Sequence, residues 1–155
     1  MRSAWRIVKA RFAAGAFDGE GARRSGGRWN SPGTAVVYAS STASLAMLEM
    51  LVHLGAPAVL HGYVLMECRF DPDLVVTLQR AVLPKNWQQY PAPDEARAIG
   101  DQWVKQGRSA ILEVPSVVVP QEHNLLLNPA HPRFSSIRIL PPAPFPFDER
   151  LARSK

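Results

Sequence analysis

At 155 residues with 46% hydrophobic side chains, the chain has the size of one domain and enough apolar material for one core. Lysine and arginine (18) exceed aspartate and glutamate (13), and the net charge of +5 points to an anionic partner: nucleotide phosphates, RNA or an acidic protein surface, set against the simpler reading of a solvated basic loop. No apolar run approaches the roughly 18 residues of a membrane span and the N-terminus lacks a secretory apolar stretch, so a cytoplasmic protein without membrane association is expected; the single cysteine, Cys68, fits a reducing compartment.

The first element is a short strand over 4–9, followed by a Gly- and Arg-rich stretch, 15–33, with many turn formers and no periodicity, read as a long loop. A β-branched run over 34–39 leads to Ser40-Ser41-Thr42, which offers N-caps for a helix over 42–54 that Gly55 and Pro57 end. Strands are predicted over 59–70 and 74–78, then a loop over 84–93 carrying Trp87 and Tyr90. A helix over 94–106 follows, with Asp94 as cap and Ala98, Ile99, Trp103 and Val104 as its apolar stripe. Short strands over 110–114, 117–119, 124–127 and 136–140 are separated by prolines. The proline-rich segment 141–147 cannot form a regular central strand and is expected to run extended across the surface. Many short strands, few helices and no regular βα alternation give an α+β fold with a mixed sheet.

Several chemistries lack their spacing. His53, His61, His123, His131 and Cys68 form no HExxH or CxxC arrangement, so no metal is expected; GxSxG, GxxxxGK[ST] and a strand-flanked GxGxxG are also absent. The helix over 42–54 is apolar nearly all round and reads as buried on most faces, with Glu49 its only acid. A carboxylate there is costly unless a cation or hydrogen-bond donors meet it, which makes Glu49 a candidate functional acid; the alternative is an edge pair with His53, one turn on. Arg28 lies in a glycine-flanked turn, Gly26-Gly27-Arg28-Trp29, where small residues permit close backbone approach and the guanidinium offers a planar fork for phosphate. An ordinary loop arginine is the simpler alternative for Arg28, and a packed core aromatic for Tyr38.

These residues belong to a longer ordered set: Trp5-Arg6-Ile7, Gly26-Gly27-Arg28-Trp29-Asn30-Ser31-Pro32-Gly33, Val36-Val37-Tyr38-Ala39, Leu45-Ala46-Met47-Leu48-Glu49, Val114-Pro115-Ser116, Asn124, Asn128-Pro129-Ala130-His131-Pro132 and Phe147-Asp148-Glu149-Arg150-Leu151. The set resembles the RES-domain toxins of bacterial RES–Xre toxin–antitoxin pairs over essentially the whole chain, as a single RES domain spanning 1–155. One departure is Leu125, where the family often has an aromatic. The resemblance implies a fold similar to ADP-ribosyltransferase toxins and cleavage of the nicotinamide–ribose bond of NAD by hydrolysis or phosphorolysis, which depletes cellular NAD. NAD is then a substrate, inorganic phosphate a candidate co-substrate, and no cofactor is implied. By residue matching, Arg28, Tyr38 and Glu49 carry over as the catalytic set, and Arg6, Arg28, Tyr38, Ser116 and Asn124 as NAD contacts.

The residue types suit that chemistry. Nicotinamide leaves as a neutral group from a cationic linkage, so the main task is stabilising an oxocarbenium-like transition state, which Glu49 could do electrostatically or by orienting a ribose hydroxyl or the nucleophile. Arg28, with Arg6, would hold the pyrophosphate, and Tyr38 would pack against nicotinamide or its ribose. The Ser116 hydroxyl could bond NAD, fix Glu49 or cap a turn, whereas Asn128-Pro129 and His131-Pro132 read first as a rigid turn. The resemblance further implies an Xre-type antitoxin that covers the Arg28 and Glu49 cleft, with DNA met only through that antitoxin. Two other activities stay open: mono-ADP-ribosylation of a protein target, which breaks the same bond, and a basic nucleic-acid-binding domain, for which no aromatic-rich strand motif or helix-turn-helix pattern is evident.

Overall fold

Residues 1–54 and 60–152 are described by the computed structural model. Their strands are β1 (Arg2–Lys9), β2 (Val37–Ser40), β3 (Tyr63–Phe70), β4 (Val75–Thr77), β5 (Ile111–Pro115), β6 (His123–Leu127), β7 (Arg138–Ile139) and β8 (Ala143–Pro144); the helices are α1 (Glu20–Ser25), α2 (Ala43–Leu54) and α3 (Asp94–Gln106). All eight strands form one mixed sheet in the order β4-β5-β6-β2-β1-β3-β7, with β8 also on β3. Only β4 and β5 run parallel. The α+β architecture and mixed sheet agree with the expectation.

Both halves of the sheet are ladders, but the join between them is slight. β1 pairs with β3 along its whole length, from Arg2 opposite Phe70 to Lys9 opposite Tyr63, and β2 pairs with β6 over all four residues. Between β1 and β2 the register holds one pair, Trp5 opposite Ser40. The sheet is therefore open along this seam, and α2 packs against both strands beside it.

Strand alternation sorts the side chains onto two cores. Val37, Ala39, Ile111, Leu125 and Leu127 join Ala4, Met66, Cys68 and Phe70 on the inner face, while Leu112, Val114 and Leu126 pack with Val36, Trp29 and the Trp103 side of α3 on the outer one. Leu125, Leu126 and Leu127 are fully buried because β6 is covered on both faces, which is why the sequence there is continuously apolar rather than alternating. Arg2 on β1 pairs with Glu113 on β5, three places away in the sheet order, so the sheet curls over its inner face.

Several local expectations are corrected. The stretch 15–33 contains α1, whose six residues are too few to show a helical period; Asp18 Oδ1 accepts from Glu20 N at its start. Residues 117–119 are a turn rather than a strand, because Ser116 Oγ accepts from the N–H groups of Val118 and Val119. Asp94 is not the cap of α3: Pro93 holds that position and Asp94 pairs with Arg97. The buried side of α3 is Ala96, Gly100 and Trp103, leaving Ala98 exposed. The expected burial of α2 on most faces fails: only Leu45 and Ala46 are buried, while Leu48 and Val52 remain 39% and 62% exposed. Its expected end at Gly55 and Pro57, and a strand start at 59, lie outside the described residues.

Other expectations hold with trimmed ends. The 34–39, 74–78 and 136–140 runs give β2, β4 and the two-residue β7. The proline-rich tail adds to the edge of β3 at Val64 and Leu65, with Phe145 N donating to Tyr63 O. No helix among the described residues is long and apolar enough to cross a membrane.

Candidate active site

The glycine-flanked turn is built on Asn30. This fully buried side chain places its Nδ2 2.9, 3.2 and 3.0 Å from the carbonyls of Ala22, Ser31 and Thr34, and its Oδ1 accepts from the Tyr38 hydroxyl at 2.6 Å. The same hydroxyl accepts from Trp29 N at 3.0 Å. Gly27 is required here by space, since a Cβ would lie 2.7 Å from the Tyr38 hydroxyl; Gly26 ends α1 at a φ of 72°, a conformation that favours glycine. Burial pushes the Tyr38 phenol well above its ordinary pKa, only partly offset by the Trp29 hydrogen bond, so it stays a neutral donor. The half-buried Tyr38 thus ties β2 to the turn that carries Arg28.

From below, α3 supports that turn. Gly100 meets Trp29 so closely that a Cβ would fall 1.7 Å from its carbonyl oxygen, and Asp101 Oδ1 accepts from Ser31 N at 2.8 Å. Above it, Arg28 Nη1 donates to the carbonyls of Trp87 (2.9 Å) and Gln89 (2.8 Å), and the Trp29 and Trp87 rings stack at 6.3 Å. Among the described residues the Arg28 Nε and Nη2 groups make no hydrogen bond, so part of the fork is open. Partial burial lowers the Arg28 pKa, opposed first by the negative charge of Glu49.

Glu49 sits on α2, which starts where Thr42 Oγ1 accepts from Leu45 N. Its Oε1 accepts from Ser116 Oγ at 2.7 Å and from Asn124 Nδ2 at 2.6 Å. Asn124 Oδ1 in turn accepts from Ser40 Oγ at 2.8 Å. Glu49 Oε2 makes no hydrogen bond among the described residues, and no bond joins Glu49 to His53. One oxygen is therefore fixed by two donors and the other is available. Ser116 fixes Glu49 and caps the 117–119 turn with the same hydroxyl.

Arg6 occupies the seam. It shares the inner face of β1 with Ala4 and Val8, and its Nη1 donates to the Tyr38 carbonyl at 2.8 Å, while Nε is buried without a partner. Burial lowers its pKa, with Asp18 opposing. Arg6 thus adjoins Tyr38 without bonding the Glu49 cluster. His131 lies in a separate turn: its Nε2 is 3.0 Å from Gly107 O and its Nδ1 accepts from Arg133 N. Cys68 is buried, its thiol pushed up to about 12, so it is no thiolate nucleophile. No cluster of three metal-ligating side chains occurs among the described residues.

Ser40, a cap candidate by sequence, and Gly100 and Asp101, which carry no motif, are further residues that shape the site. Ser40 lies two residues from Tyr38 on β2 and so shares its face, and Gly100 is an isolated glycine inside a helix; both are signals the sequence carries.

Comparison with known proteins adds the family. A RES domain model matches residues 3–148. The chain belongs to the RES-domain family. Its RES domain is 41% identical over 148 residues to a protein called Toxin Res from Yersinia enterocolitica, covering 95% of this chain and 97% of that one. It is 39% identical over 156 residues to the Prs ADP-ribosylating toxin of a Sphingobium species, covering 97% of each. A chain of the M. tuberculosis MbcT–MbcA toxin–antitoxin complex superposes with a TM-score of 0.76 at 21% identity, over 93% of this RES domain and 84% of that chain, so the fold is shared. Arg28, Tyr38, Glu49, Ser116 and Asn124 all fall within the matched residues.

Proposed function

We propose that this RES domain is the toxin of a toxin–antitoxin pair and that it acts by cleaving NAD at the nicotinamide–ribose bond. The observation that carries the reading is the state of Glu49: Oε1 is held by Ser116 and Asn124, and Oε2 has no partner among the described residues. A carboxylate fixed in this way suits stabilisation of a cation that develops only in the transition state, because little reorganisation is needed as the charge appears. The C–N bond breaks with its electron pair going to nicotinamide. A water oxygen or a phosphate oxygen then bonds to the anomeric carbon, and in hydrolysis the water proton leaves through Glu49 Oε2 to solvent. Arg28 holds the pyrophosphate through Nε and Nη2, while Nη1 keeps the 84–93 loop in place. NAD is the substrate, inorganic phosphate a co-substrate of the phosphorolytic variant, and the scheme needs no resident cofactor.

Purified protein incubated with NAD, with and without phosphate, should release nicotinamide, and mass spectrometry of the second product distinguishes ADP-ribose from its 1″-phosphate. Intact NAD in both incubations would overturn the reading. The name of the Sphingobium relative supports a second acceptor, a protein side chain; covalent label on protein from labelled NAD would identify it.

The partner is an antitoxin, of the Xre type expected from the sequence, seated over the cleft. The complex named for the structural neighbour supports the pairing, and Leu48 and Val52, exposed on α2 beside Glu49, supply an apolar surface for it. A cytoplasmic location fits this substrate and partner. NAD turnover by the intact complex would contradict a covered site.

A further inference from the structure

We infer that Ser40 is a positioning residue for this site: it holds Asn124 by its carbonyl end so that the amide N–H is aimed at Glu49. The inference rests on the NAD-cleaving reading above for its consequence in rate, and on the hydrogen-bond geometry for the role itself. Ser40 is the β2 residue paired on both sides, opposite Trp5 on β1 and opposite Asn124 on β6, so it stands where the two halves of the sheet are joined. It is only 4% exposed, and its Oγ lies 2.8 Å from Asn124 Oδ1.

A carboxamide has one accepting end and one donating end, and an ionised carboxylate only accepts. With Ser40 donating to Oδ1, Nδ2 faces Glu49 Oε1 at 2.6 Å. The reversed amide would set Oδ1 against that carboxylate oxygen, two acceptors at the same short distance. It would also leave the Ser40 proton without an acceptor among the described residues. Both ends of the chain Ser40, Asn124, Glu49 therefore favour the same orientation, and Ser40 is its distal anchor. Without the hydroxyl, Asn124 Oδ1 has no partner among the described residues, and the amide is released to turn toward other donors.

The test is a double-mutant cycle. Ser40→Ala should lower kcat for NAD cleavage about tenfold while KM changes by less than about twofold, because the loss falls on a group that acts in the transition state. Ser40→Thr, which keeps the hydroxyl, should recover most of the rate. Ser40→Ala combined with Asn124→Ala should be no slower than Asn124→Ala alone, since the serine acts through the amide. Ser40→Cys, close in volume but a weak donor, repeats the kcat loss if the alanine variant folds poorly. Independently of activity, the Asn124 side-chain amide should give two distinct NMR signals in the wild type, the Glu49-bonded proton exchanging slowly, and lose that protection in Ser40→Ala. Additive losses in the cycle, or wild-type rates and amide signals in Ser40→Ala, would overturn the inference. If the wild-type protein leaves NAD intact, the functional reading fails, and the amide signals still decide the role of Ser40.

Discussion

The Ser116 hydroxyl donates to Glu49 Oε1 while its oxygen accepts from the N–H groups of Val118 and Val119. One buried oxygen thereby joins the acid on α2 to the end of β5 and to the turn beyond it. Removing it should act on stability and rate together. Ser116→Ala leaves two N–H groups short of an acceptor and should cost about 1–3 kcal/mol in urea unfolding. It should also lower kcat more than it raises KM; unchanged stability would show that the turn does not depend on the serine.

Glu49→Gln separates chemistry from folding. The amide oxygen can still accept from Ser116 and Asn124, so the melting temperature should stay within a few degrees of wild type. NAD cleavage should fall about 10²–10³-fold in kcat, the usual effect of removing a preorganised electrostatic group. Wild-type turnover by this variant would remove Glu49 from the mechanism.

Arg28→Lys tests the fork. A lysine carries the charge but cannot donate to the carbonyls of Trp87 and Gln89 and also present a planar pair to pyrophosphate. KM for NAD should rise about tenfold, with faster proteolysis within 84–93 as a separate readout. Equal KM values would place the pyrophosphate elsewhere.

Gly100→Ala reverses the usual sign. Helix propensity favours alanine by about 1 kcal/mol, yet its Cβ would lie 1.7 Å from the Trp29 carbonyl oxygen, a backbone atom that cannot swing aside. The variant should lose at least about 1–3 kcal/mol of stability, as overpacked sites do, and shift the turn carrying Arg28. A more stable variant in thermal unfolding would show that α3 does not press on that turn.

Tyr38 gives a pH dependence at the alkaline end. Burial raises the folded phenol above its ordinary value of 10.0, so the folded state keeps a proton that the unfolded chain releases. The Tyr38 contribution is fully present below about pH 10 and is lost as pH rises from there through the raised folded value. Tyr38→Phe should weaken that fall in a urea-unfolding series above pH 10, and should cost about 1–3 kcal/mol at neutral pH by leaving Asn30 Oδ1 and Trp29 N unpartnered. Identical alkaline slopes for the two proteins would show that Tyr38 titrates normally.

The amino-acid sequence by itself determined most of the elements and the chemical inventory. Alternation and length marked most of the strands, the cap residues before it marked α2, an apolar stripe marked α3, and a lone acid in an apolar helix with a glycine-flanked arginine marked where chemistry could occur. These are local signals, carried by neighbours within one or two turns. The ordered motif set also placed the chain in its family. What the tertiary structure alone decided is which distant groups meet. Glu49 bonds residues 67 and 75 positions away rather than His53 one turn along. Ser40 anchors Asn124 across a strand pair 84 positions apart in sequence, and Gly100 admits the backbone of Trp29. Even the burial of α2 escaped its periodicity, because a helix apolar all round carries no mark of which side the sheet will cover. Such pairings depend on register and on the curl of the sheet, which no local pattern encodes.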